Sequence, residues 1–327
     1  MTVLTGPVDA VAAAGRPRMT RWVVRLHRPA LFAWAGLFAV VAGLLITLAG
    51  PWADAAAQGW RHYDACDFDR PCSYDQTAIL RYKSWYNYTT YALNVLPFLV
   101  AAWAGAALTG RELESGTARL AWTQGASPAR WLAARLTVPA LALTAGTSLL
   151  FWLHHRAWTA GRGRIDTAKT WYDTGTFHAN GPTTAALALA GLAAGALAGL
   201  LLRRALPALV LGVVFMSGVW GTTQQLLPHL WPAVTRTAPV TQQHADLGTG
   251  LGVDHGLLTR TGGHLPMPSC DSEAACDAAY AKAAGFYNTY HPYSHYWPLQ
   301  LTASAVLLAV TGLLALACFR VLRRQVS

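Results

Sequence analysis

Six long stretches without a single Asp, Glu, Lys or Arg constrain this chain more than any other feature. They cover residues 30–50, 91–109, 136–153, 183–202, 205–227 and 299–319. A helix needs about 20 apolar residues to cross the hydrocarbon core of a bilayer. Inside lipid every backbone N–H and C=O must be paired within the segment, which makes each stretch a helix. Strands of a membrane barrel would alternate in polarity, and these stretches do not. The fold expected is therefore an all-α membrane protein with six transmembrane helices. Composition agrees, since only 12% of the residues are charged against about 25% in a soluble domain.

The formal net charge of +10 is a matter of topology. With six spans, both termini fall on one side, together with residues 110–135 and 203–204. That side holds 14 Lys/Arg and three acids, Asp9, Glu112 and Glu114, whereas the other holds 11 Lys/Arg and 12 Asp/Glu. By the positive-inside rule the first side is the cytoplasm, which gives cytoplasmic N and C termini. No motif supports a nucleic-acid role for the excess charge. Ala53-Asp54-Ala55 resembles a cleavage site, but the first stretch exceeds the 7–15 residues of a signal-peptide core and reads as a retained span.

Residues 1–17 read as a disordered cytoplasmic tail. Over 18–29, Met19, Trp22, Val23 and Leu26 share one helical face while Arg18, Arg21, Arg25 and Arg28 fall largely on another. That pattern predicts an amphipathic interfacial helix lying on membrane lipid, and it doubles as a positive topology flank. Residues 30–327 form the six-span domain. Its outer face is expected in loops 51–90, 154–182 and 228–298, long enough to carry structure or function. The last ends in the aromatic run 287–297, which reads as an interfacial belt.

Gly191, Gly195 and Gly199 make a doubled GxxxG pattern in the fourth span. Missing side chains let a neighbouring helix approach closely, in this chain or in a second copy. Cys66, Cys72, Cys270 and Cys276 form two C-x5-C pairs in the outer loops, candidates for disulfides in an oxidising compartment. The equal short spacings favour one bridge within each loop, although four cysteines allow three pairings. A zinc site would want shorter spacing with His partners, so no metal is expected.

Gly163-Arg164-Ile165-Asp166-Thr167-Ala168-Lys169-Thr170 nearly matches the phosphate-cradling G-x4-G-K-[ST] loop, but its second glycine is Ala168 and no strand precedes it. The chain thus has no ATP site. His154 and His155 end the third span, and the other spans offer no partner for haem. No cofactor is called for. Ionisable residues within spans mark proton or ion relays. Their absence here means that energy for any transport comes from outside the membrane. Asn94, Thr144, Thr147, Ser148 and Ser217 are expected to hydrogen-bond neighbouring helices.

The remaining candidate is the cytoplasmic segment 110–135. It holds Glu112 and Glu114. Gly116 is placed to end or bend a short helix starting near Arg111, and Ser127-Pro128 is an N-cap and first-turn pair opening the third span. A short charged helix braced between two spans can transmit a push from a cytoplasmic partner. By composition alone it is also an ordinary topology loop.

The string Arg-Glu-Leu-Glu-Ser-Gly-Thr-Ala-Arg-Leu-Ala-Trp-Thr-Gln over 111–124 resembles the E-x-x-x-G-T segment of type-2 ATP-binding-cassette (ABC) exporter permeases, and is especially similar to actinobacterial versions. The resemblance implies the transmembrane permease subunit of an ATP-driven exporter in a bacterial plasma membrane. It implies a coupling helix that contacts a separate cytoplasmic ABC ATPase subunit, and a second permease copy, as a homodimer or with a similar chain. On that resemblance Arg111, Glu112, Glu114, Gly116, Thr117 and Arg119 are the candidate ATPase-coupling residues. The cysteine loops are not explained by it. The alternative is a non-transporting membrane protein whose outer loops bind a ligand or partner. An embedded enzyme ranks last, because no ionisable constellation lies within the spans.

Overall fold

A computed structural model describes residues 28–67, 69, 71–124, 127–166, 168–241 and 246–326. The tail 1–17 and nearly all of the expected amphipathic helix lie outside the described residues. Among the described residues, six helices are long and apolar enough to cross a membrane: Leu31–Asp64, Gln76–Glu114, Pro128–Gly161, Thr183–Leu202, Ala205–His229 and Tyr293–Val326. The spanning part is helical throughout, as the apolar stretches require.

Four of these helices overrun the uncharged stretches by more than ten residues. At 1.5 Å per residue, a 34-residue helix is about 51 Å long, against a hydrocarbon core of about 30 Å. Much of the expected loop 51–90 is therefore helix. Pro51–Asp64 continues the first span after a break at Gly50. The second helix opens at Gln76, where Asp75 Oδ1 accepts a hydrogen bond from Ala78 N. The extension past Pro51 buries Ala53, Ala56, Ala57 and Gly59 on one face and exposes Arg61 and His62 on the other. Hydropathy ended the span where polarity began, but a helix in water needs only one apolar face.

The fourth span is the axis of the bundle. Its most apolar window is 78% buried, against 17% for the first, fifth and sixth spans. Gly191, Gly195 and Gly199 face the second helix. A Cβ at these positions would collide with Pro97 O, Ala101 O and the Thr109 side chain respectively. The partner of the GxxxG stripe thus lies in the same chain. There the second helix loosens into a π-helix over Ala104–Gly110, in which Thr109 Oγ1 donates to Ala104 O and, across the contact, to Ala196 O.

Polar side chains within the spans mostly serve their own helix. Thr144, Thr147 and Ser217 each donate to the carbonyl four residues back. Asn94 reaches further, donating to Gly175 O outside its helix. This departs from the expected inter-helix bonds, since a hydroxyl is too short to leave its own turn when the adjacent carbonyl is in reach.

Beyond the fifth span the chain forms a four-stranded antiparallel sheet in the order β1 (Val234–Pro239), β4 (Gly285–His291), β2 (Leu251–Leu258), β3 (His264–Pro266). The structure pairs Cys270 with Cys276 at the edge of a short helix between β3 and β4, and Cys66 with Cys72 in the turn before the second span. The aromatic run splits accordingly. Tyr287 and Tyr290 are buried in β4 and Tyr296 is buried in the core, while Tyr293 and Trp297 remain exposed. His291 Nε2 lies 2.9 Å from Pro228 O, tying the sheet to the end of the fifth span.

Under the sheet a neutral polar network closes that end of the bundle. His154 Nδ1 lies 2.5 Å from Asn180 Oδ1, and its Nε2 lies 2.8 Å from Thr90 Oγ1. Tyr296 OH donates to Asn180 O, and Gln300 Nε2 donates to Phe177 O. Tyr86, Trp158, Trp171 and Phe177 pack around it.

Candidate coupling site

At the opposite end the second helix runs through the π-turns into a four-residue helix, Arg111–Glu114. Gly116 then adopts φ +74°, a left-handed conformation with little penalty only for glycine. The chain reverses and a second short helix follows over Thr117–Thr123. The third span begins at Pro128, with Ser127 Oγ accepting from Arg130 N as its N-cap. Gly116 and Ser127-Pro128 therefore act where the sequence placed them.

The structure separates the six candidate residues into two sets. Glu112 is buried and forms an ion pair with the fully buried Arg135 of the third span. The Arg135 guanidinium also donates to Leu108 O and lies 4.9 Å from the Trp131 ring centre. One arginine thus fastens the segment, the π-helix and the third span together. A buried charge stays charged only with such a partner. Glu114 makes a different contact: its Oε2 accepts from Ala205 N, 2.9 Å away, at the first turn of the fifth span. A carboxylate there meets both an unpaired amide and the positive end of the helix dipole.

Thr117 Oγ1 donates back to Glu112 O and lies 3.1 Å from Ser115 Oγ, closing the turn around Gly116. Ala118 is buried against Trp131, Leu132, Leu200, Cys318 and Leu322. Gln325 Nε2 donates to Leu200 O, so the end of the sixth span joins the same cluster. Arg111 and Arg119 face outward. Leu120 beside them is 59% exposed, a large apolar side chain on a charged surface.

Glu112 was read from the sequence as a surface contact, and the fold turns it inward. Its partner Arg135 was counted only among topology charges. The available signal was an arginine placed one residue before the uncharged stretch 136–153, facing a glutamate three residues past 91–109.

The model of a family described as ABC-2 membrane transporter related matches residues 35–227, more than half of the chain. The chain belongs to this family. It is a multi-pass membrane protein of the ABC-2 permease type, a transport component whose family works with an ATPase partner. The match runs from within the first span to near the end of the fifth, includes all of segment 111–124, and stops before the sheet. No curated protein and no solved structure matches the chain.

Proposed function

We propose that this chain is the membrane subunit of an ATP-driven exporter in a bacterial plasma membrane, with segment 111–124 as its cytoplasmic coupling element. The observation that carries the reading is the two-sided build of that segment. Arg111, Arg119 and Leu120 face outward as a docking surface for a separate ATPase. Glu112 is buried against the third span, and Glu114, itself exposed, reaches the first turn of the fifth. A push on the outer face reaches two spans through two short charged contacts. Rigid spans then switch between two packings, opening the path on one side and then on the other. Two such subunits, identical or similar, enclose the path. Arg111, Thr117 and Arg119 dock the ATPase, while Glu112 and Glu114 carry the movement and Gly116 sets the turn.

The test separates the two faces by co-purifying the solubilised chain with ATPase subunits from its native cell. Arg119→Glu is expected to lose the ATPase. Glu112→Gln is expected to keep it while altering its ATP hydrolysis rate. An ATPase retained equally by wild type and Arg119→Glu would sink the docking assignment.

A further inference from the structure

A second site lies at the sheet end, far from the coupling segment. The third span ends at Gly161, and residues from 162–166 and 168–172 line a cavity of about 300 Å³. Its walls are aromatic: Trp158, Trp171, Tyr172 and Tyr293. Trp158 is fixed in place, because its Nε1 donates to Lys169 O. The Arg162 guanidinium stands over the Tyr293 ring at 3.8 Å from its centre and 5.0 Å from that of Trp158.

Stacking uses the flat face of a guanidinium and leaves its in-plane N–H edge free. Among the described residues, no carboxylate lies within 4 Å of Arg162. The other cations nearby are engaged, Arg164 with Asp54 and Lys169 with Asp173. Arg162 thus holds its guanidinium fork above two aromatic rings, at the level where the third span ends and the sixth begins. Such a fork matches the paired oxygens of a phosphate group.

We propose that this cavity binds a phosphate-bearing anion through the N–H donors of Arg162, whose guanidinium is itself held by the rings of Trp158 and Tyr293. At this depth the phosphate comes either from a lipid headgroup or from solution, and the site chemistry is the same for both. Asp166 stands on the same rim and opposes the anion. Gly163, Ile165, Asp166, Ala168, Lys169 and Thr170 of the near-match form part of the wall.

The experiment uses the full chain in mixed micelles of phosphatidylglycerol and phosphatidylcholine, and native mass spectrometry counts the retained lipid. A parallel arm measures binding of radiolabelled inorganic phosphate by equilibrium dialysis. Wild type should bind one phosphate-bearing anion in at least one arm, with phosphatidylglycerol retained over phosphatidylcholine if the source is lipid. Arg162→Gln should lower that binding at least about tenfold, since it removes charge-assisted hydrogen bonds to the anion. Competition by inorganic phosphate indicates a soluble ligand, and retention of phosphatidylglycerol despite it indicates a lipid. Equal binding by wild type and Arg162→Gln, or no binding by wild type in either arm, overturns the proposal. If Arg162→Gln does not fold, Asp166→Asn decides: tighter binding supports the site and unchanged binding overturns it.

Discussion

The two ends of the bundle are closed by different chemistry. At the coupling end, formal charges do the fastening: Glu112 to Arg135, and Glu114 to the amide of Ala205. At the sheet end the buried partners are neutral: His154, Asn180, Thr90, Gln300 and the Tyr296 hydroxyl. A neutral network spread over many bonds holds one geometry. An ion pair concentrates the fastening in one contact, whose loss leaves an unpaired charge. On the proposed coupling function this contrast sets a fixed sheet end against a movable segment 111–124, and it can be broken in four ways.

The largest effect belongs to the ion pair. Arg135→Ala should destabilise the chain by about 3–5 kcal/mol, because Glu112 is left buried without a counter-charge. The double change Arg135→Met with Glu112→Leu should recover most of that loss. Thermal unfolding in detergent reads both. A double variant no better than the single would mean that the arginine acts through its packing on Trp131 rather than through its charge.

Next comes the neutral network. Asn180→Leu should cost about 1–3 kcal/mol by stranding the His154 ring. The loss should appear as faster amide exchange around residues 174–184, with segment 111–124 unchanged. Exchange that rises equally at both ends would erase the distinction between them.

A third effect depends on pH. His178, in the short helix Thr174–Ala179, lies between the third and fourth spans with its Nε2 2.6 Å from Gln224 Nε2. Burial pushes its pKa down to about 4 from an ordinary value of 6.5, and the Gln224 contact only partly opposes this. The folded state therefore takes up the proton later than the unfolded state does. The stabilising contribution is fully present above about pH 6.5 and is lost as pH falls towards 4. His178→Gln should make the unfolding midpoint fall less steeply across that window.

The smallest effect is expected at Lys169, whose exposed pairing with Asp173 spans 3.2 Å. Lys169→Ala should change stability by less than about 1 kcal/mol. A larger loss would show that the loop around the Arg162 cavity depends on this pair.

Legibility followed locality. The six spans, the Gly116 reversal, the Ser127-Pro128 start and the glycine stripe are set by neighbouring residues, and each could be read directly. The sheet could not. The side chains of β1 are exposed at five of six positions, and β2 carries Gly252 and Gly256 with a bulge near Asp254. Neither strand shows the alternation that marks a half-buried strand. The helical overruns were missed because polarity is a sound boundary only inside lipid.

By itself the sequence determined that the chain spans a membrane six times as helices, since each apolar segment must satisfy its own backbone, and that segment 111–124 resembles a coupling element. Tertiary structure alone decided which way the glutamates of that segment face. Glu112 and Arg135 are 23 positions apart, and their meeting depends on the rotation and depth of two packed helices. That rotation is fixed by contacts all around the fourth span, where Gly191, Gly195 and Gly199 let the second helix sit close enough to bring its end to Arg135.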